Sequence, residues 1–110
     1  MGPGDGVITH YILNRLEANA QLLIFEINEV FVKKLHQAFQ HDPRVTIIHD
    51  SAEHMGRYFE ERGIEAIDYF ISGIPFIMLP EALAECITTE CLRWLGPRGW
   101  FVQFRYIPLM

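Results

Sequence analysis

Residues 22–31 read Leu22-Leu23-Ile24-Phe25-Glu26-Ile27-Asn28-Glu29-Val30-Phe31: a short apolar run, an acid, a capping residue and the start of a helical period. Four consecutive apolar residues are too few for a buried helix and suit a strand covered on both faces. Asn28 stands where a helix N-cap is wanted, and Glu29 sits at the end of the helix dipole that favours a carboxylate. Val30, Phe31, Leu35 and Phe39 then follow on one helical face. Strand, corner and helix in this order make half of a βαβ unit.

Working outward, the same alternation recurs. Val45-Thr46-Ile47-Ile48, Ile67-Asp68-Tyr69-Phe70-Ile71 and Phe101-Val102-Gln103-Phe104 are further short β-rich runs. Ahead of the first strand, Val7, Ile8, Tyr11, Ile12 and Leu16 share a face of a helix predicted over roughly Gly6 to Ala18. Met55, Tyr58 and Phe59 mark a third helix, opened by Ser51 and closed by Gly63. A fourth begins near Pro80 and stops at Gly96-Pro97, with Leu83, Ile87, Cys91 and Leu95 directed inward. The order α-β-α-β-α-β-α-β implies parallel pairing through right-handed crossovers, and so an α/β, Rossmann-like, doubly wound and mostly parallel sheet.

Composition bounds what such a chain can do. Its 110 residues suit a single domain, residues 1–110, and half of them are apolar, enough to bury a core. Nine basic against 14 acidic residues leave a net charge of -5. That balance disfavours gripping a phosphate backbone, so no nucleic-acid partner is expected. No apolar run approaches the ~20 residues of a membrane span, and the first residues do not read as a secretory signal. Cys86 and Cys91 fit neither a redox pair nor a metal knuckle and are expected to be buried or half-buried thiols in a reducing cytoplasm.

Four places carry candidate chemistry. Gly2-Pro3-Gly4-Asp5-Gly6 precedes a helix, and glycines at this spacing let a backbone pass close to a ligand while exposing N–H groups. Glu26 ends the first strand, about 20 residues beyond the glycines, where an acid accepts hydrogen bonds from ribose hydroxyls in nucleoside-binding folds. Asp50-Ser51-Ala52 ends the second strand: Asp50 could accept from an exocyclic amine, and Ser51 could cap the next helix. Ser72-Gly73-Ile74-Pro75-Phe76 ends the third, bringing carbonyls and a ring to the carboxyl edge where open α/β sheets bind ligands. Each feature alone also has a purely structural explanation: a tight turn, a solvated acid or a helix cap.

Taken together, these residues resemble class I S-adenosylmethionine-dependent methyltransferases over nearly the whole chain. The wording Gly-Pro-Gly-x-Gly-Val-Ile-Thr from Gly2, Phe-Glu-Ile-Asn from Phe25 and Ser-Gly-x-Pro-Phe from Ser72 is nearest to bacterial phospholipid N-methyltransferases. The resemblance implies that Gly2, Gly4 and Gly6 cradle the methionine part of S-adenosylmethionine. It implies that Glu26 holds the ribose and that Asp50 and Ser51 meet the adenine. Ser72, Pro75 and Phe76 would lie on the substrate side, beside the transferred methyl. No catalytic residue is assigned.

Two departures accompany the resemblance. Relatives that dimethylate adenine in ribosomal RNA carry Asn at the start of the fourth motif, where this chain has Ser72. The family also places a strand directly before the glycine loop and further strands beyond Tyr106. On that reading the chain is truncated at both ends and lacks its first, central strand. Neighbouring strands lie about 4.8 Å apart, so the gap would expose two rows of backbone groups. A homo-oligomer or a completing second chain is therefore expected. Three functions remain open: methyl transfer to an amine such as a phospholipid headgroup, a catalytically silent interaction module, and an unrelated nucleotide-binding α/β protein.

The remaining features read as structural. His36 and His41, and His49 and His54, are five apart, a poor spacing for sharing an ion on a helix, and no metal site is expected. His10 could line the cofactor pocket. Trp94, Trp100 and Phe101 read as core and rim packing, and no serine sits on a nucleophile turn.

Overall fold

The computed structural model describes residues 1–2, 6–73 and 79–103, except for the side chains of Val7, Ile8 and Gln103. The chain divides into two compact units, Met1–Ser51 and Ala52–Met110. The first holds α1 (Val7–Leu13), β1 (Leu22–Phe25), α2 (Glu29–Phe39) and β2 (Val45–Ile48). The second holds a 3-10 turn (Ala52–His54), α3 (Met55–Glu61), β3 (Ile67–Ser72), α4 (Glu81–Trp94) and β4 (Leu95–Gln103). Both strand pairs are parallel, as the alternating order requires: β1 with β2 from Leu22↔Val45 to Phe25↔Ile48, and β3 with β4. The α/β class is observed, as two two-stranded parallel sheets.

In the N-terminal unit, Leu13, Ile24, Leu35 and Phe39 form the core, with Leu16, Leu22, Val45 and Ile47 packed around them. Gly6 is buried beneath α2 with φ 94, in the left-handed region. A β-carbon there would stand 3.1 Å from both Leu35 Cδ2 and Phe39 Cε2. Only glycine meets both demands. The sequence expectation of a longer first helix is corrected: α1 ends at Leu13, and Tyr11 faces solvent under the Arg15 guanidinium, 3.7 Å from its ring centre. Arg44 supplies the reason. Its Nη1 donates to the Leu13 and Leu16 carbonyls at 3.0 Å each, satisfying the helix end, while Nε and Nη2 hold Asp42.

Along α2, Val32, Leu35 and Phe39 point inward, whereas Val30, expected on the buried face, is exposed. The helix enters its axis after Asn28, whose side chain occupies the first turn, so the buried stripe starts two residues later. That cap is the one foreseen: Asn28 Oδ1 accepts from Val30 N at 2.9 Å and Phe31 N at 3.2 Å.

In the C-terminal unit, Phe59 of α3 packs edge-on against Trp94 of α4, with ring centres 5.2 Å apart, and lies 6.5 Å from Phe70 of β3. Gly63, at φ 67, ends α3. Gly63 N donates to the Glu60 carbonyl and Ile64 N to that of Phe59, the paired bonds of a Schellman cap. The expected opening at Ser51 becomes a 3-10 turn over Ala52–His54, with α3 proper starting at Met55.

The Gly96-Pro97 breaker acts differently from expectation. The α4 helix ends at Trp94, and the Gly-Pro pair lies inside β4 as an irregularity. Between Ile67↔Leu95 and Tyr69↔Trp100, β3 advances two residues and β4 five. On this sheet Phe70 and Ser72 are buried, while Tyr69 and Trp100, paired across the strands, are 63% and 65% exposed. Trp100 is thus corrected from core packing to surface, because strand alternation turns it away from the Phe59 side. Phe104 lies outside the described residues.

Cys91 is buried at 2% exposure, whereas Cys86 is exposed, against the expectation of two covered thiols. Helical spacing decides this, since residues five apart fall on different faces. Burial pushes the Cys91 thiol up to about 12.

Three outcomes follow from these packing arrangements. Gly6→Ala should destabilise the chain by about 1–3 kcal/mol through left-handed strain and crowding, seen as a lower urea midpoint at unchanged slope. A thiol reagent at pH 8 should label Cys86 quickly and Cys91 only as the chain unfolds. Arg44 holds the Asp42 carboxyl below its ordinary range, chiefly through the side-chain hydrogen bond. The stabilisation is therefore complete above the ordinary carboxylate range and is lost as pH falls through the lowered value. In acid titrations followed by circular dichroism, Asp42→Asn should remove that part of the pH dependence.

Candidate nucleoside-binding edge

Parallel pairing puts the carboxyl ends of β1 and β2 side by side, so the residues leaving them share one edge of the N-terminal unit. The ladder continues one residue past β1, where Glu26 N donates to the Ile48 carbonyl at 3.0 Å. Along a parallel strand, alternate residues turn their N–H and C=O to opposite edges. Leu22 and Glu26 face β2, so Phe25 faces the other side. There its carbonyl accepts from Gly2 N at 3.2 Å. The glycine segment thus starts beside the residue that precedes Glu26, and Gly6 anchors its far end under α2.

Glu26 is 7% exposed, a carboxylate at the mouth of a strand end rather than on a solvated surface. Its Oε2 accepts from Asn28 N at 3.0 Å. A carboxylate offers about four lone-pair sites on two oxygens, so this bond orients the group and leaves it chemically able to accept further donors. Between the two, Ile27 is 70% exposed and presents an apolar face directly beside the acid. At the end of β2, Asp50 Oδ1 accepts from Ser51 N at 2.7 Å, folding the carboxylate back over the start of the following turn. His49 lies between Ile48 and Asp50, and its Nε2–H donates to the Ile27 carbonyl at 3.1 Å.

The structure therefore brings Gly2, Glu26, Asp50 and Ser51 to one edge of one unit, while Gly6 of the same unit packs against Leu35 and Phe39 of α2. Gly4, Pro75 and Phe76 lie outside the described residues. Ser72 is fully buried at the end of β3 in the C-terminal unit, and Gly73 beside it is exposed. His10, considered for the cofactor pocket, lies tilted at 52° against Phe39 with ring centres 4.6 Å apart. Sequence reading passed over Ile27 and His49. An exposed apolar residue after a strand-end acid was a usable signal; a histidine-to-carbonyl bond spanning 22 residues was not. Among the described residues, no group of three or more His, Cys, Asp or Glu is placed to hold a metal, and no helix is long and apolar enough to cross a membrane.

Loss of the Asn28 side chain removes the acceptor for two helix N–H groups. Asn28→Ala should destabilise the chain by about 1 kcal/mol, measured by urea unfolding, with Asn28→Asp retaining most of the stability.

No protein-family model matches the chain. Among curated proteins, the chain is 25% identical over 108 residues to the ornithine lipid N-methyltransferase of Singulisphaera acidiphila, a match over 98% of this chain and 56% of that protein. It is also 32% identical over 71 residues to the ribosomal RNA small subunit methyltransferase H of Acinetobacter baumannii, covering 64% of this chain and 23% of that protein. The chain thus spans about half the length of the first relative and about a quarter of the second. Both bear the name methyltransferase, and the sequence similarity of this chain is to methyltransferases.

Proposed function

We propose that the chain is a methyltransferase region that binds S-adenosylmethionine and directs its methyl to an amine of a phospholipid-like headgroup. The observation that carries this reading is the buried Glu26 carboxylate. It stands at a parallel strand end beside a glycine segment tethered at Gly2 and Gly6, with Asp50 at the neighbouring strand end. The residues suit the cofactor chemically. Glu26 accepts from two ribose hydroxyls, Asp50 from an adenine amine, and the exposed Ile27 offers apolar cover to a flat base. S-adenosylmethionine, when bound, supplies an electrophilic methyl.

What the chain then contributes is alignment. Holding donor and acceptor in line converts an encounter into a near-unimolecular displacement, worth up to about 7–11 kcal/mol of barrier in favourable systems. The acceptor amine would react as the neutral base: its N–C bond would form as the sulfonium–methyl bond breaks, S-adenosylhomocysteine would be the leaving group, and the extra proton of the alkylated ammonium would pass to water. Ser72, and Pro75 and Phe76 outside the described residues, are the candidates for the acceptor's side on the family resemblance alone. A lipid amine is favoured over RNA because a lipid N-methyltransferase is similar over 98% of this chain and the chain carries a net charge of -5.

A second part of the proposal is that another chain or a second copy extends the short sheets of this chain. Among the described residues β1 pairs with β2 and β3 with β4. Two-stranded sheets are marginal alone. The Gly2–Phe25 bond forms one rung on the side of β1 away from β2. A silent interaction module built on the same frame is the alternative, and cofactor binding separates the two.

Calorimetric titration with S-adenosylmethionine should give micromolar binding that is lost in Glu26→Ala, with Glu26→Gln reporting on folding. Absence of binding at millimolar cofactor would leave the module. Competition by adenine nucleotides but not by S-adenosylhomocysteine would indicate a nucleotide-binding protein. Light scattering after size exclusion should show a dimer or larger species at micromolar concentration; a folded monomer would defeat the completing-strand proposal.

A further inference from the structure

The turn that aims Glu26 is held at three points, each by different chemistry. Glu26 N is bonded to Ile48 at the end of the ladder. Asn28 turns its N–H back to Glu26 Oε2 and commits its side chain to the first turn of α2. Between them the peptide of Ile27 has no side-chain anchor of its own, since that side chain stands 70% exposed. Its carbonyl is instead taken by Nε2 of His49, at 3.1 Å. The histidine belongs to the segment that leaves β2, immediately before Asp50, whose carboxylate is turned onto Ser51 N.

We propose that His49 is a positioning residue for nucleoside recognition. By gripping the Ile27 carbonyl, it ties the Asp50 segment to the Glu26 turn and so sets the separation between the acid that meets the ribose and the acid that meets the base. This rests on the cofactor reading above and adds to it the residue that makes the two contacts one site. Register through β1 and β2 fixes the strand ends to each other only as far as Glu26 and Ile48. Beyond that rung, the His49–Ile27 bond is a link that crosses between the two segments. An exposed bond of this kind adds little to global stability. Its effect is local, on how often Glu26 and Asp50 stand at the same spacing.

The test uses the full chain with His49→Ala and His49→Gln, the latter retaining an N–H donor. Two quantities are read: amide hydrogen exchange at Asn28, and affinity for S-adenosylhomocysteine by calorimetry. Asn28 N–H reports the turn directly, because it is bonded to Glu26, and it needs no ligand. His49→Ala should speed its exchange several-fold and weaken S-adenosylhomocysteine about tenfold, the value of one hydrogen bond of ordinary net strength. His49→Gln should restore both substantially, and the urea midpoint should change little in either. In His49→Ala the further loss from Glu26→Gln should shrink, since a residue acting through Glu26 is coupled to it.

Unchanged Asn28 exchange in His49→Ala would overturn the proposal, as would fully additive effects of the two substitutions or equal weakness of the Ala and Gln variants. If the unaltered chain binds no S-adenosylhomocysteine at millimolar concentration, the cofactor reading fails. Asn28 exchange then still decides whether His49 holds the turn.

Discussion

Gly6 lies so close to α2 that a single added carbon would press on Leu35 and Phe39, and it does so at a backbone angle that side-chain-bearing residues rarely adopt. This close approach governs the N-terminal unit. It fixes where α1 starts and brings Leu13 into the core beside Ile24. Gly2, four residues earlier, bonds to Phe25 at the end of β1. Gly6 itself is a packing residue.

From that constraint the chemistry of the edge follows by geometry. Parallel strands deliver their carboxyl ends to the same side, so an acid after β1 and another after β2 come to one edge. Burial distinguishes Glu26 from the other acids of the chain, most of which lie on helix faces or in solvent. A buried carboxylate needs donors, and the turn provides one from Asn28 while keeping the group at the mouth of the site. The same asparagine caps α2, so the helix and the orientation of the acid are stabilised together.

Much of this was legible in the residues. The strands Leu22–Phe25 and Val45–Ile48, the Asn28 cap and the Gly63 stop could be read from local pattern, because each depends on neighbours within a few positions. The places where reading failed share a cause. Tyr11 and Val30 obey the helical period yet point outward: Tyr11 lies in solvent under the Arg15 guanidinium, and the buried stripe on α2 begins at Val32. Gly96-Pro97 signalled an interruption correctly, but that interruption became a bulge in β4, since pairing with β3 resumes at Trp100. The exposure of Trp100 and the link from His49 to Ile27 depend on residues far away in the chain.

Sequence alone determined the alternation of helices and strands, the parallel sense of their pairing, the acids at the strand ends and the glycines before the first helix. These follow from periodicity, capping and backbone freedom, which act over a few residues. Tertiary structure decided which of those residues stand together: that Gly2 bonds to the residue before Glu26, that Gly6 packs under α2, that the carboxylate is buried, and that His49 joins two turns. It also decided that, among the described residues, β1 pairs with β2 and β3 with β4. Such outcomes rest on close approach between segments remote in sequence, where a contact of 3 Å is set by packing that no local pattern encodes.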